Sequence, residues 1–259
     1  MIFRTMSRRS PSADGRSRMI VGLLMACILG LLPRIVTADT HYVDLYCTNP
    51  VPNYTNWATA STNIQLAVDA AAASDTVLVS NGVYNTGGQT SGTNTVTNRV
   101  VISKVILLAA VSTNPADTVI EGAADPLTTN GAAAVRCVRT AASYVTISGF
   151  TLRNGHTQTN GALDYNRSGG AIIGFWTIVT NCMIVSNAAN ANGGGASQVF
   201  LYNCTVSYNT ASGGGGMYNA RAHNSVFHHN TSLLHGGGIS ALLTGSSNCL
   251  IYKVLQALE

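Results

Sequence analysis

Apolar and polar residues alternate along this chain in runs of strand length, and from Asn181 onward one such run is written four times. The copies read Asn181-Cys182-Met183-Ile184-Val185-Ser186-Asn187, Asn203-Cys204-Thr205-Val206-Ser207-Tyr208-Asn209, Asn224-Ser225-Val226-Phe227-His228-His229-Asn230 and Asn248-Cys249-Leu250-Ile251-Tyr252. Gly-rich segments follow the first three: Gly193 to Gly195, Gly213 to Gly216 and Gly236 to Gly238. The opening Asn recurs at positions 181, 203, 224 and 248, steps of 22, 21 and 24 residues. A period of that size marks a solenoid, in which each repeat buries its apolar face only against its neighbours.

The unit is too short for two helices, and its glycines would break any helix. Leucine-rich repeats share the length, but their spaced leucines are absent. Short strands remain. Cys182 and Ile184, Cys204 and Val206, and Ser225 and Phe227 are the candidate inward positions, and Cys249 falls in the same slot of the last copy. Asn187, Asn209 and Asn230 close their strands. Asn tolerates the left-handed backbone, and its amide can bond an identical Asn one coil away, which predicts a stacked ladder. Gly169, Gly170, Gly194, Gly195, Gly214, Gly215, Gly237 and Gly238 are the glycines of the tight corners. Flexible Gly-rich linkers would not keep phase with strands over three spacings. The prediction is an all-β chain forming a parallel β-helix of roughly seven or eight coils at the sheet spacing.

Upstream the pattern is less regular. Thr62 to Ala70 places Ile64, Val68 and Ala71 on one helical face, with Thr62 or Ser61 as cap. A short N-terminal helix there would cover the first coil, whose edge every parallel solenoid must protect. Strands are expected at 76–79, 100–102, 105–108, 118–120, 135–138, 145–147 and 150–152. Asn154-Gly155 is assigned the corner that Asn187 takes one coil later. The step from Asn154 to Asn187 is 33 residues, so residues 156–168 form an inserted loop.

Composition narrows the class. Charged residues make up 9% of the chain, against roughly 25% in ordinary soluble domains. Residues 1–38 carry six Arg against Asp14, a balance of +5, and the remainder has eight bases and nine acids, a balance of −1. That leaves no basic surface for nucleic acid. The Arg-rich start, the apolar run over residues 19–32 and Val36-Thr37-Ala38 predict a signal peptide over 1–38, too short in its apolar run to span a membrane. Residues 39–99 are assigned to a first strand, the capping helix and the first coil. The β-helix is assigned to 100–252, regular from about residue 169, and 253–259 to a short tail, with the chain expected to be a piece of a longer protein. Export would put Cys47, Cys137, Cys182, Cys204 and Cys249 in an oxidising setting. Two readings of the shared slot stay open: a Cys182–Cys204 disulfide, or a buried stack of small thiols.

Two tetrapeptides carry a family resemblance. Gly169-Gly170-Ala171-Ile172 and Phe227-His228-His229-Asn230 resemble the GGAI and FxxN repeats of the polymorphic outer-membrane proteins, surface β-helices that act as adhesins. Ile64-Gln65, Asp75-Thr76-Val77 and Gly82-Val83-Tyr84 resemble the opening of pectin-lyase-like right-handed β-helices. The resemblance covers residues 60–252 and implies the right hand of the coil. It also implies a secreted, extracellular or outer-membrane surface protein, and a fold that hosts adhesins, lyases and hydrolases alike.

Chemistry in the chain is sparse. Between residues 127 and 258 the one acid is Asp164, and one carboxylate makes neither an acid–base pair nor a calcium cage. Asp164 with Arg167 on the inserted loop is the remaining catalytic candidate, helped by Arg136 or Arg153. His223, His228, His229 and His235 form a second cluster, but neighbours on an extended strand point opposite ways, so His228 and His229 are not expected to share a metal. No metal and no cofactor is assigned. Tyr42, Tyr46, Tyr54 and Trp57 either pack against the cap or offer a sugar-stacking platform. The expected function is a non-catalytic module for adhesion or for recognising polysaccharide and cell-surface glycan, without a transmembrane span once the signal is removed. The alternative is a pectin-lyase-like carbohydrate-active enzyme with degenerate or missing catalytic coils. Outward aromatics on one face would favour binding.

Overall fold

The computed structural model describes residues 37–240 and 243–256, so the signal-peptide assignment, apart from its last two residues, and residues 257–259 lie outside it. Every ladder between its strands is parallel, and each strand pairs with the one a full turn later in sequence. Three faces result. The largest sheet has eleven strands. Its main path runs through Thr40–Val43, Thr76–Val79, Leu107–Ala110, Thr146–Ser148, Ile172–Thr180, Ala196–Tyr202, Met217–Tyr218 and Ile239–Ser240. The second sheet stacks seven strands from Gly82–Tyr84 to Leu250–Tyr252, and a third, of three strands, holds Thr210–Gly213, Thr231–His235 and Leu255–Gln256. This is a parallel β-helix, and crossovers between parallel strands of one sheet take the right-handed sense.

The repeat maps onto the second face. Met183–Val185, Thr205–Ser207, Val226–His228 and Leu250–Tyr252 pair in register, so that Ile184, Val206, Phe227 and Ile251 form one column. Ile184, Val206 and Phe227 are fully buried, and burying a side chain of this size stabilises by roughly 1.5–3 kcal/mol. The neighbouring slot needs more than small size. Cys182 donates to Thr180 O, Cys204 to Tyr202 O, Ser225 to His223 O and Cys249 to Ser247 O, each two residues back. A small side chain with one donor is what the slot requires, which is why Ser replaces Cys without breaking the column. All five described cysteines are free, so Cys182 and Cys204 stack as thiols.

Inside the next corner runs the Asn ladder. Asn209 Oδ1 accepts from the backbone N–H of Asn187 at 3.0 Å and from its Nδ2 at 2.9 Å, and Asn230 Oδ1 serves Asn209 in the same way at 3.0 Å each. The ladder ends on Gly155, whose N–H reaches Asn187 Oδ1 at 2.8 Å. Two expectations shift here. The left-handed residues are Ser186, Tyr208, His229 and Lys253, each at the step just before the ladder position, not the ladder Asn themselves. That step turns the following Asn side chain inward. Asn154 likewise is left-handed (φ 52) and aligns with Ser186, because Arg153 pairs with Val185. The ladder position of its coil is Gly155.

The opening Asn of each copy is left-handed as well, at Asn181, Asn203, Asn224 and Asn248, and forms a second, exposed stack through Asn248–Asn224 and Asn224–Asn203 bonds. Each coil thus bends twice through left-handed residues, and only the bend at the opening Asn uses a residue type for which that region costs little. The third bend uses glycine for two separate reasons. Gly193, Gly214 and Gly236 have φ near +60°, and a Cβ on Gly194 or Gly215 would overlap carbonyl oxygens of the next coil.

The N-terminal helix is Ile64–Ala70, capped by Asn63 rather than Thr62 or Ser61. Asn63 Oδ1 accepts from Gln65 N at 2.8 Å, and Ser61 Oγ accepts from Asn63 N at 3.1 Å. Ile64, Val68 and Ala71 are buried. Gln65 closes the edge of Thr97–Ile102: its Oε1 accepts from Val101 N at 2.7 Å and its Nε2 donates to Val101 O at 3.0 Å. One side chain imitates the missing strand.

Replacing Asn209 with Leu leaves the Asn187 N–H and the Ile184 carbonyl without their partner inside the coil. An unsatisfied buried group costs about 1–3 kcal/mol, so the urea midpoint should fall sharply, whereas Asn224→Gly on the exposed stack, which keeps the left-handed backbone (φ 47), should barely move it. Burial pushes the Cys204 thiol up to about 11 and the Cys137 thiol up to about 12. Unfolded thiols ionise near roughly 8.5. The stability these groups contribute is therefore whole below that pH and is lost as pH rises toward the folded values. Urea unfolding under reducing conditions, followed from neutral pH upward, should show this decline.

Candidate functional site

The long strands of the largest sheet lose register once. Ile173 pairs with Ser197 and Thr177 with Val199, so Gly174, Phe175 and Trp176 together face only Gln198. The extra residues bulge outward, with left-handed backbone at Trp176 (φ 56) and at Gln198 (φ 59). Thr140 and Thr177 hydrogen-bond to each other beneath the bulge, and a side chain at Gly174 would strike both hydroxyls. The bulge presents Phe175 and Trp176 to solvent, 52% and 45% exposed. Two large aromatics so displayed are uncommon on a surface without a partner.

Two hollows flank them. One, of about 160 Å³, is lined by Phe175, Trp176, Gln198, Phe200, Asn219 and Leu243. Trp176 meets Phe200 edge-on at 5.3 Å, and the Arg221 guanidinium lies 5.3 Å from the Phe200 ring. The other, of about 260 Å³, lies between Arg139, Thr140, Ser143, Tyr165, Ile173, Phe175 and Gln198, with Arg139 stacked 4.6 Å from the Tyr165 ring. Phe175 and Gln198 belong to both, so the hollows make one groove across the sheet. Nε of Arg139, Nε of Arg221 and Oε1 of Gln198 are buried without a partner. Burial lowers the Arg139 pKa, opposed by Tyr165. An apolar, aromatic floor with a few unpaired polar groups is the usual make-up of a small-ligand or chain-binding site. Among the described lining residues there is no carboxylate.

The Tyr165 wall is held from behind. Tyr165 lies in the short helix Leu163–Asn166 of the inserted loop. Arg136 is fully buried and donates to Tyr165 O at 2.7 Å, Ser168 O at 2.9 Å, Gly169 O at 2.8 Å and Asn98 Oδ1 at 2.7 Å. Burial lowers its pKa to about 9.

Of the sequence-derived catalytic candidates, the three arginines are each engaged by other partners. The Asp164 side chain lies outside the described residues. Arg167 bonds Asn190 at 2.9 Å, Arg136 is spent on the loop, and Arg153 pairs with Glu121 at 3.1 Å on the second face. Near the N-terminus Tyr42 meets Trp57 edge-on at 4.6 Å, Tyr54 packs against the core, and Tyr46 stands 80% exposed, so these rings form no common platform. Among the histidines, His223 stacks on Tyr202 at 5.1 Å. His228 and His229 depart from expectation: the left-handed backbone at His229 (φ 53) brings both rings to one side, with Nδ1 atoms 2.8 Å apart. The groove residues Phe175, Trp176, Phe200 and Arg139 were not singled out in the sequence. The one local signal is Gly174-Phe175-Trp176, where alternation breaks.

The molecule is thus a parallel β-helix protein with an aromatic groove on its broadest sheet. No protein-family model and no curated protein sequence matches it. Among solved structures it is similar to pectin methylesterase PemA from Erwinia chrysanthemi (TM-score 0.44, 14% identity, covering 83% of this chain and 60% of that one). A pectin methylesterase in complex with a hexasaccharide gives TM-score 0.45 at 14% identity, over 83% of this chain and 60% of that one. The rice weevil pectin methyl esterase gives 0.44 at 12%, covering 89% of this chain and 68% of that one. The chain therefore spans about 60% of the length of the first two. Among the described residues no helix is long and apolar enough to cross a membrane.

Arg136→Met should free the inserted loop. Limited proteolysis within residues 156–168 should speed up markedly, and stability should fall by about 3 kcal/mol or more, since four acceptors lose their donor at about 1–3 kcal/mol for each left unsatisfied.

Proposed function

We propose that this chain is an extracellular or surface β-helix module that holds a carbohydrate chain along the groove of its largest sheet. The observation that carries the reading is the bulge at residues 174–176. It sets Phe175 and Trp176 on an otherwise regular face, between two hollows bearing unpaired Arg139 and Gln198 atoms. Aromatic faces stack against the C–H faces of sugar rings, and the polar groups fix their hydroxyls. The groove runs across several coils, so it suits an oligomer of sugars better than a single small molecule. The predicted signal peptide is consistent with a role outside the cell, and adhesion would follow where the glycan belongs to a surface.

A second reading is a carbohydrate-active enzyme of the pectin-lyase-like kind. It is favoured by the position of Asp164, next in the chain to Tyr165, whose ring stands on the groove. Pectin, the substrate class in the names of the similar structures, belongs in the test panel.

Affinity electrophoresis against neutral and acidic polysaccharides, including pectin, tests the first reading. At least one should retard the protein, and Trp176→Ala and Phe175→Ala should each weaken binding about tenfold, a loss of about 1.4 kcal/mol. Retardation that survives both substitutions would sink the groove assignment. Release of methanol or of unsaturated ends from pectin, lost in Asp164→Asn, would favour the enzyme.

A further inference from the structure

We infer that His228 and His229 form a surface site for a divalent copper ion, on the second face and away from the groove. Three observations carry it. The left-handed turn at His229 (φ 53) places consecutive imidazoles on one side of the chain. Their Nδ1 atoms lie 2.8 Å apart. Both rings are already held: His229 stacks on Tyr208 at 4.8 Å with planes 1° apart, and His228 stacks on Tyr252 at 5.3 Å with planes 16° apart.

The separation, which in the free protein is that of a hydrogen bond between the rings, also fits a shared ion. With metal–nitrogen bonds of about 2.0 Å, two nitrogens 2.8 Å apart subtend about 90° at the ion, the cis angle of a tetragonal centre. A tetrahedral zinc ion would spread the same two nitrogens to about 3.3 Å. Imidazole is a good copper ligand, and copper leads the affinity order of the divalent first-row metals. No three His, Cys, Asp or Glu residues group to hold a metal among the described residues. Water must complete the coordination, so the site suits capture of an exchangeable ion rather than a structural one. In the metal-free state one ring donates its Nδ1 proton to the other. Binding requires both Nδ1 lone pairs, so the donor ring shifts its proton to Nε2 and neither neutral ring loses a proton.

The stacked tyrosines give the pair its preorganisation, since the rings need little reordering when the ion arrives. The same column holds Tyr208 at the corresponding corner of the coil before and Lys253 at that of the coil after, so the paired imidazoles belong to one coil and do not repeat along the solenoid.

The test is a copper titration of the full chain followed by electron paramagnetic resonance, with circular dichroism to confirm that each variant is folded. One tight equivalent should show hyperfine coupling to imidazole nitrogen. His228→Ala and His229→Ala should each weaken it about tenfold or more, while His223→Ala and His235→Ala should not. Zinc at equal concentration should fail to displace the copper. Binding unchanged in His228→Ala and His229→Ala, the absence of a nitrogen-coupled signal, or zinc competing on equal terms would each overturn the inference.

Discussion

The Asn187–Asn209–Asn230 ladder is the constraint on which the regular part of this coil depends. A parallel solenoid satisfies its backbone along flat sheets without difficulty, because each strand finds the next one turn later. The corners are harder, since there the chain leaves the sheet and its amides turn inward. The buried Asn side chains supply the missing acceptors and donors, linking each N–H to the next coil. Because the bonds run along the axis, they fix the rise per coil and the register of both flanking faces. The columns of Ile184, Val206 and Phe227 and of Cys182, Cys204 and Ser225 follow from that register.

Much of this was legible in the sequence. The repeat gave the period, the alternation gave the inward positions, and the amide at the end of each copy suggested the ladder. Left-handed positions were misjudged by one residue. Asn is the usual occupant of that region, yet here Ser186, Tyr208 and His229 occupy it so that the next Asn can point inward. The step to the preceding coil was counted from Asn154, when register sets its neighbour Gly155 opposite Asn187. Both slips come from judging a residue by type where its neighbours one coil away decide its role. The pairing of His228 with His229 was hidden for the same reason, because it depends on a backbone sign that extended geometry does not anticipate.

The groove was less legible still. Phe175 and Trp176 are two aromatics in a chain with several others, and only the slip between Ile173 and Thr177 shows that they stand out of the sheet. Arg139 and Arg221 look like any solvated Arg until their unpaired Nε atoms are placed beside Tyr165 and Phe200. A rigid scaffold makes such a bulge useful. Thr140 and Thr177 fill the space below it and Arg136 fixes the Tyr165 wall, so the groove is formed before any ligand arrives.

The chain has two tryptophans, Trp57 near the N-terminal cap and Trp176 on the groove. With Trp57→Phe, fluorescence reports on Trp176 alone; with Trp176→Phe it reports on Trp57. Titrating both variants with a polysaccharide that retards the parent protein tests the central claim most directly. Carbohydrate binding in the groove predicts a saturable change in intensity and wavelength in the Trp57→Phe variant and none in the other. A response confined to Trp57, or binding with no response from Trp176, would contradict it.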